Sequence, residues 1–404
     1  MPKLLKKIGY VAIIMISASG FQMASNLILG RELTKEEYGI FSLIRKIIQF
    51  SSWILVFGTD VGLIRLFNRS ITKYNWKKFL NRMLLYSFFL SVIPLLIFLR
   101  AYSLSNIQII STVLIIFITI TLILGNGIFR IQNKYNLAQF VISGVRYLFF
   151  VCLVILWFTN CVTLNNSILV FTLSYLIFGL LCIYYLNAIP NGRNFIPLKD
   201  VIKESSEFYF ITIVTVSLIV ADTFIVAKYF AYEYVGIYAA VSILPVTVFN
   251  LAGSSIGQVL MPSLAKGEIN NFQKVIYISI GIALILYILF NFIGEDLLHY
   301  TFNSKYDGNS NLFYIFICMG ITQYFSNIIH FSIGGISTKE SQKYFLLSTI
   351  ILTVLYLLLI NYLIITHIIT NITSVAIITV LVWVIRDFMG IYLIIKSRKK
   401  WIKS

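Results

Sequence analysis

Apolar residues run along the chain in blocks of roughly twenty, separated by short polar stretches, and the alternation recurs about twelve times. An α-helix rising about 1.5 Å per residue needs roughly 20 residues to cross a hydrocarbon core of about 30 Å, so each block is long enough to span a bilayer. The pattern predicts helices near residues 8–29, 39–60, 79–99, 107–129, 137–158, 167–187, 207–228, 235–258, 274–294, 311–333, 344–365 and 371–395. The expected fold class is an all-α integral membrane protein. The first block has the basic flank of a signal peptide in Lys3, Lys6 and Lys7. Its apolar run exceeds a signal h-region and many spans follow, so it is read as a retained first span.

Composition sharpens this picture. With 59% hydrophobic and 12% charged residues, the chain carries more apolar surface than a water-soluble core can hide. The net charge of +17 raises the question of a nucleic-acid partner, and the placement of the charge answers it. With a cytoplasmic N-terminus, twenty-three of the 32 Lys and Arg fall in inner segments, five in outer ones and four inside spans. That is the positive-inside asymmetry, with both termini cytoplasmic, and it points to no nucleic acid. The inner loop from Arg65 to Arg82 mixes Lys and Arg with Phe67, Tyr74, Trp76 and Phe79, as expected of a segment lying on an anionic leaflet. The outer loops are short and leave little room for an external catalytic domain.

Sliding the chain against itself by 197 residues brings Ser25–Ser42 onto Asp222–Ala239. Ile28/Ile225, Glu36/Glu233, Gly39/Gly236 and Ile40/Ile237 coincide, and Arg31 meets Lys228. The match falls at the first outer turn of each run of six spans. Two halves of the same orientation are a transporter architecture. The expected organisation is an N-terminal six-helix lobe over 1–190, a cytoplasmic connector over 191–206 carrying Gly192 and Pro197, and a C-terminal six-helix lobe over 207–404.

Enzyme chemistry is not legible. The chain has no glycine-rich phosphate loop, no HExxH and no GxSxG, and His299, His330 and His367 stand alone. Cys152, Cys161, Cys182 and Cys318 form no CxxC pair, so neither a disulfide framework nor a metal site is expected. What stands out is charge inside the spans: Arg45, Lys46, Asp60, Arg146, Asp222, Arg386 and Asp387. Each costs roughly 2.5–3.5 kcal/mol at a helix centre, so such residues face a bundle interior, a cavity or a partner. For Asp60, Arg386 and Asp387 a static ion pair or snorkelling to an interface stays open. Arg45 and Asp222 share a depth in opposite halves and are candidates for an outer gate.

The segment Gly30-Arg31-Glu32-Leu33-Thr34-Lys35-Glu36-Glu37-Tyr38-Gly39-Ile40-Phe41 resembles the signature closing the first span and opening the second in bacterial polysaccharide-export proteins. These are the O-antigen and capsule repeat-unit flippases of the MOP (multidrug/oligosaccharidyl-lipid/polysaccharide) exporter superfamily. Gly62-Leu63-Ile64-Arg65 and Val259-Leu260-Met261-Pro262-Ser263-Leu264-Ala265 are similar to two further motifs of that family, and Arg130 and Arg146 fall where it often carries arginine.

The resemblance implies a flippase, not an enzyme, moving undecaprenyl-diphosphate-linked oligosaccharide across the bacterial inner membrane through a cavity between two lobes by alternating access. It implies no cofactor, contact with membrane lipids, and a place beside glycosyltransferases and a polysaccharide polymerase. An anionic diphosphate in a low-dielectric cavity needs fixed cations, for which Arg45, Lys46, Arg146 and Arg31 are the candidates. Asp222, Lys228, Asp60 and Arg65 are the gating or coupling candidates. Two other readings stay open: a drug or small-molecule antiporter of the same fold, and a membrane-embedded polymerase or acyltransferase.

Overall fold

The computed structural model describes residues 2–67, 74–190, 192–194, 196–265, 269–336 and 339–401. They form thirteen helices: α1 (Pro2–Glu32), α2 (Lys35–Val56), α3 (Thr59–Phe67), α4 (Trp76–Ala101), α5 (Asn106–Ile131), α6 (Tyr135–Phe158), α7 (Leu164–Asn187), α8 (Leu198–Tyr229), α9 (Tyr232–Ala265), α10 (Ile269–Phe302), α11 (Ser310–Ile336), α12 (Lys339–Ile365) and α13 (Ile372–Trp401). No strand occurs among the described residues beyond an isolated bridge between Tyr74 and Asn194. Lipid offers no hydrogen bonds, so a spanning backbone must satisfy itself, and helices do so. Eleven of the helices are long and apolar enough to cross a membrane; α4, 26 residues long, supplies the twelfth long helix. Exposed Phe89, Phe292 and Phe388 would be a liability in water and are ordinary against acyl chains.

The second expected span, 39–60, is met by α2, which ends four residues early. Phe57 (φ 53°) and Gly58 (φ 63°) are left-handed, which ends α2 and restarts the chain as α3. The carbonyls freed by the break are met from neighbouring helices: Tyr209 Oη donates to Ile54 O at 2.9 Å, Ser87 Oγ to Leu55 O at 3.0 Å and Thr59 Oγ1 to Val56 O at 2.6 Å. Ser205 Oγ lies within reach of Phe57 O at 3.3 Å. Hydroxyls from α4 and α8 thus satisfy the backbone where α2 ends and α3 begins.

The inner loop differs from the leaflet-lying segment expected of it. Trp76 and Phe79 are 1% and 3% exposed, and Trp76 Nε1 donates to Pro190 O at 3.1 Å. Asn75 N–H to Asn194 O (2.8 Å) and Gly192 N–H to Tyr74 O (2.9 Å) complete a stitch between this loop and the segment after α7. The indole is used as a buried fastener because its N–H finds a carbonyl there. Residues 68–73 lie outside the described residues.

The chain divides into two compact units, one of Met1–Leu33 and Ile40–Val216, the other of Thr34–Gly39 and Ser217–Ser404. In the first, α1 packs on α6 and α5 on α7, around a ring cluster of Phe41, Phe149 and Phe171 with centroids 4.9–6.0 Å apart. In the second, α11 packs on α9 and α13. A Cβ at Gly253 would press on the Tyr324 backbone and one at Gly257 on the Phe331 ring, so the glycines set how closely α9 approaches α11. Gly39 and Gly236, the identical pair of the internal match, meet reciprocally within the second unit. A Cβ on Gly39 would overlap the Tyr232 carbonyl oxygen, and one on Gly236 the Lys35 carbonyl oxygen. The same 197-residue offset relates Lys35 to Tyr232, so this close approach has local two-fold character.

Candidate functional site

Within the first unit, two spanning arginines share one neighbourhood. Arg45 on α2 donates through Nη1 to Asn26 Oδ1 on α1, and Arg146 on α6 donates through Nη1 to Ser19 Oγ on α1 at 3.4 Å. Tyr175 on α7 lies in the electrostatic field of both guanidinium groups and bonds to Thr119 on α5. Beside them, Ser17 and Tyr147 hydroxyls meet at 2.6 Å, and the Tyr147 hydroxyl reaches Ile14 O at 2.9 Å. Four helices, α1, α5, α6 and α7, therefore contribute neutral polar groups around two cations inside an apolar bundle. Asn26 lies about 9 Å along α1 from its C-terminal end and Ser19 about 20 Å, so the two arginines sit at successive levels of the bundle.

The other cation candidates are placed differently. Lys46 follows Arg45 on α2 and is half-buried. Arg31, in the last turn of α1, is exposed, with Nε 3.8 Å from Glu32. It is an end-of-helix cation and does not join the arginine pair.

The second unit holds a carboxylate instead. Asp222 on α8 is 6% exposed. Tyr238 Oη on α9 donates to its Oδ2 at 2.9 Å, and Thr223 Oγ1 to its Oδ1 at 3.2 Å. Beyond Tyr238, the Tyr356 and Thr379 hydroxyls meet at 2.9 Å, so hydroxyls from α8, α9, α12 and α13 line this acid. Arg45 and Asp222 each take these partners inside their own unit. Lys228, two turns further along α8, is exposed with Nζ 4.7 Å from the Tyr229 ring centre. Asp60 opens α3 just past the helix break, against Gly127 of α5. The Arg65 side chain lies outside the described residues, as do those of 259 and 261–265.

Arg386 and Asp387 are buried in α13, at 2% and 8% exposure. The guanidinium lies between the rings of Phe345 and Trp383, at 5.1 and 5.0 Å, and Asp387 accepts from Ser326 on α11. Arg386 Nε and Nη2 have no hydrogen-bond partner among the described residues. The sequence did not draw attention to the neutral members of these networks. Asn26 and Tyr175 are the ones missed in the first unit, and an amide inside an apolar span was the signal for Asn26. No group of three or more His, Cys, Asp or Glu able to hold a metal occurs among the described residues.

The sequence profile of a family described as "Polysaccharide biosynthesis protein" matches residues 4–268. The chain belongs to this family. Among curated proteins none matches it. Its fold is that of the MOP-superfamily transporters. It resembles the lipid II flippase MurJ in an inward closed conformation, with a TM-score of 0.67 and 13% identity over 95% of this chain and 86% of that one. It also resembles an inward-facing multidrug-resistance MATE transporter (TM-score 0.63, 15% identity, 96% and 99% covered). A third similar structure is a MOP-superfamily transporter from Pyrococcus furiosus whose reversed pocket polarity was taken to suggest a different function (0.62, 17%, 98% and 95%). These likenesses carry the fold.

Proposed function

We propose that the protein is a flippase that moves an undecaprenyl-diphosphate-linked oligosaccharide from the cytoplasmic to the outer leaflet of the bacterial plasma membrane by alternating access. The observation that supports this reading is that Arg45 and Arg146, from different helices, are both held by neutral groups of α1, Asn26 and Ser19. Burying two like charges in an apolar bundle is costly, and a doubly charged anion is the ligand that turns that cost into affinity. Guanidinium grips phosphate oxygens in a bidentate fork and keeps its charge in a low-dielectric setting. Membership of a polysaccharide biosynthesis family supports a polysaccharide precursor as cargo; in this reading it is an O-antigen or capsule repeat unit made by glycosyltransferases and consumed by a polymerase. Asp222, buried among hydroxyls, is the coupling carboxylate in this account, and both termini are cytoplasmic.

Deleting the gene tests the reading. Surface polysaccharide should stop while lipid-linked repeat units accumulate in the inner leaflet. Normal polysaccharide with heightened drug sensitivity would instead favour the antiporter.

A further inference from the structure

The second unit contains a chain of carboxamides that bridges α9 and α11 apart from Asp222. Asn327 Nδ2 on α11 donates to Asn250 Oδ1 on α9 at 2.8 Å, and Asn250 Nδ2 donates to Gln323 Oε1. All three lie inside spans, Tyr232–Gly257 and Ser310–Ile333. Asn250 stands about 27 Å along α9 from Tyr232, and Gln323 and Asn327 about 20 and 26 Å along α11 from Ser310. The close packing of α9 on α11 through Gly253 and Gly257 brings them together.

A carboxamide has two donors and an oxygen with two lone pairs, so three amides joined by two links keep several donors and acceptors for other use. Asn250 and Asn327 are half-exposed, while Gln323, at 8% exposure, forms the buried end of the chain. Gln323, Asn327 and the exposed His330 follow one another at i, i+4 and i+7, so they form one stripe of α11. An open amide facing hydrocarbon would be costly at this depth, so the stripe faces water or a polar ligand. The set is uncharged, which makes it a poor site for phosphate. Paired donors and acceptors match sugar hydroxyls, which both donate and accept.

We propose that Asn250, Gln323 and Asn327 bind a neutral sugar of the lipid-linked cargo and set its specificity. This rests on the flippase reading above. A site built to hydrogen-bond a substrate hydroxyl rejects an analogue without it, because its own polar groups are then left unmatched.

The test measures binding to the purified full-length protein in lipid nanodiscs. The probes are bare undecaprenyl diphosphate and the same lipid carrying glucose, galactose or N-acetylglucosamine. The wild-type protein should bind at least one glycosylated lipid more tightly than the bare one. Gln323→Leu and Asn327→Leu should each remove about five- to tenfold of that gain while leaving bare-lipid affinity unchanged, which also reports that the variants are folded. If the wild type binds the bare lipid and no sugar improves on it, or if the variants keep the gain, the amide site is refuted and the flippase reading stands. If no probe binds more tightly than phosphatidylglycerol, the flippase reading fails and this inference falls with it.

Discussion

The two units enclose different chemistry in similar apolar shells. In the first, two arginines on α2 and α6 are held by neutral groups, Asn26 and Ser19, near a tyrosine that feels both. In the second, Asp222 is surrounded by hydroxyls, Arg386 lies beside Asp387, and an amide chain links α9 to α11. The first unit thus sets cations among neutral groups, and the second sets two acids, one arginine and a chain of amides inside its helices. In the proposed function the first unit's arginines grip the phosphate, and the second unit's polar groups set selectivity and coupling.

The largest expected effect tests whether charge in the second unit is compensated. Removing one partner of a buried pair costs about 3–5 kcal/mol, whereas exchanging both for apolar residues of similar size is often neutral. Arg386→Met and Asp387→Leu should each sharply lower the thermal stability of the purified protein, and the double variant should recover most of it. Equal losses that simply add would remove the coupling. The first unit should behave differently. Arg45→Ala or Arg146→Ala should weaken binding of undecaprenyl diphosphate by about 1.5–3 kcal/mol each, the usual worth of a hydrogen bond to a charged group. Asp222→Asn should leave that affinity within about twofold and lower transport instead. Binding titrations in nanodiscs would separate the two outcomes.

Smaller effects are expected at the close approach of Gly39 and Gly236, the identical pair of the internal match. Gly236→Ala places a methyl on the Lys35 carbonyl and should cost about 1–3 kcal/mol through overpacking, with Gly39→Ala similar by the reciprocal geometry. Thermal unfolding would detect it, and unchanged stability in both would mean that the close approach is not needed. The smallest effects belong to Arg31 and Lys228, which are exposed at helix ends. Alanine at either should change stability by less than about 0.5 kcal/mol, because exposed charges contribute little.

Helix positions were legible because a spanning helix must be apolar over its whole length. The break at Phe57–Gly58 was not: Phe gives no sign of a left-handed conformation, and the groups that make the break tolerable, Tyr209, Ser205 and Ser87, are distant in sequence. Arg45 and Arg146 could be singled out from charge alone, since charge is rare in spans. Their gathering around Tyr175 depends on helix rotation, which a single sequence does not encode in any local pattern. Trp76 was misread because an aromatic among basic residues looks like an interfacial anchor, while its indole N–H has a backbone partner at Pro190. The amides of α9 and α11 were passed over because they are neutral, although an amide in an apolar span calls for a partner almost as strongly as a charge does.

The most direct test of the central claim is flipping by the purified protein in liposomes, using undecaprenyl diphosphate with a fluorescent oligosaccharide and an outer-leaflet quencher. The wild-type protein should move the lipid between leaflets, and the Arg45→Ala/Arg146→Ala double variant, inserted to the same level, should leave it at the rate of empty liposomes. Flipping by the double variant as fast as by the wild type would contradict the claim that the first unit's arginines carry the diphosphate.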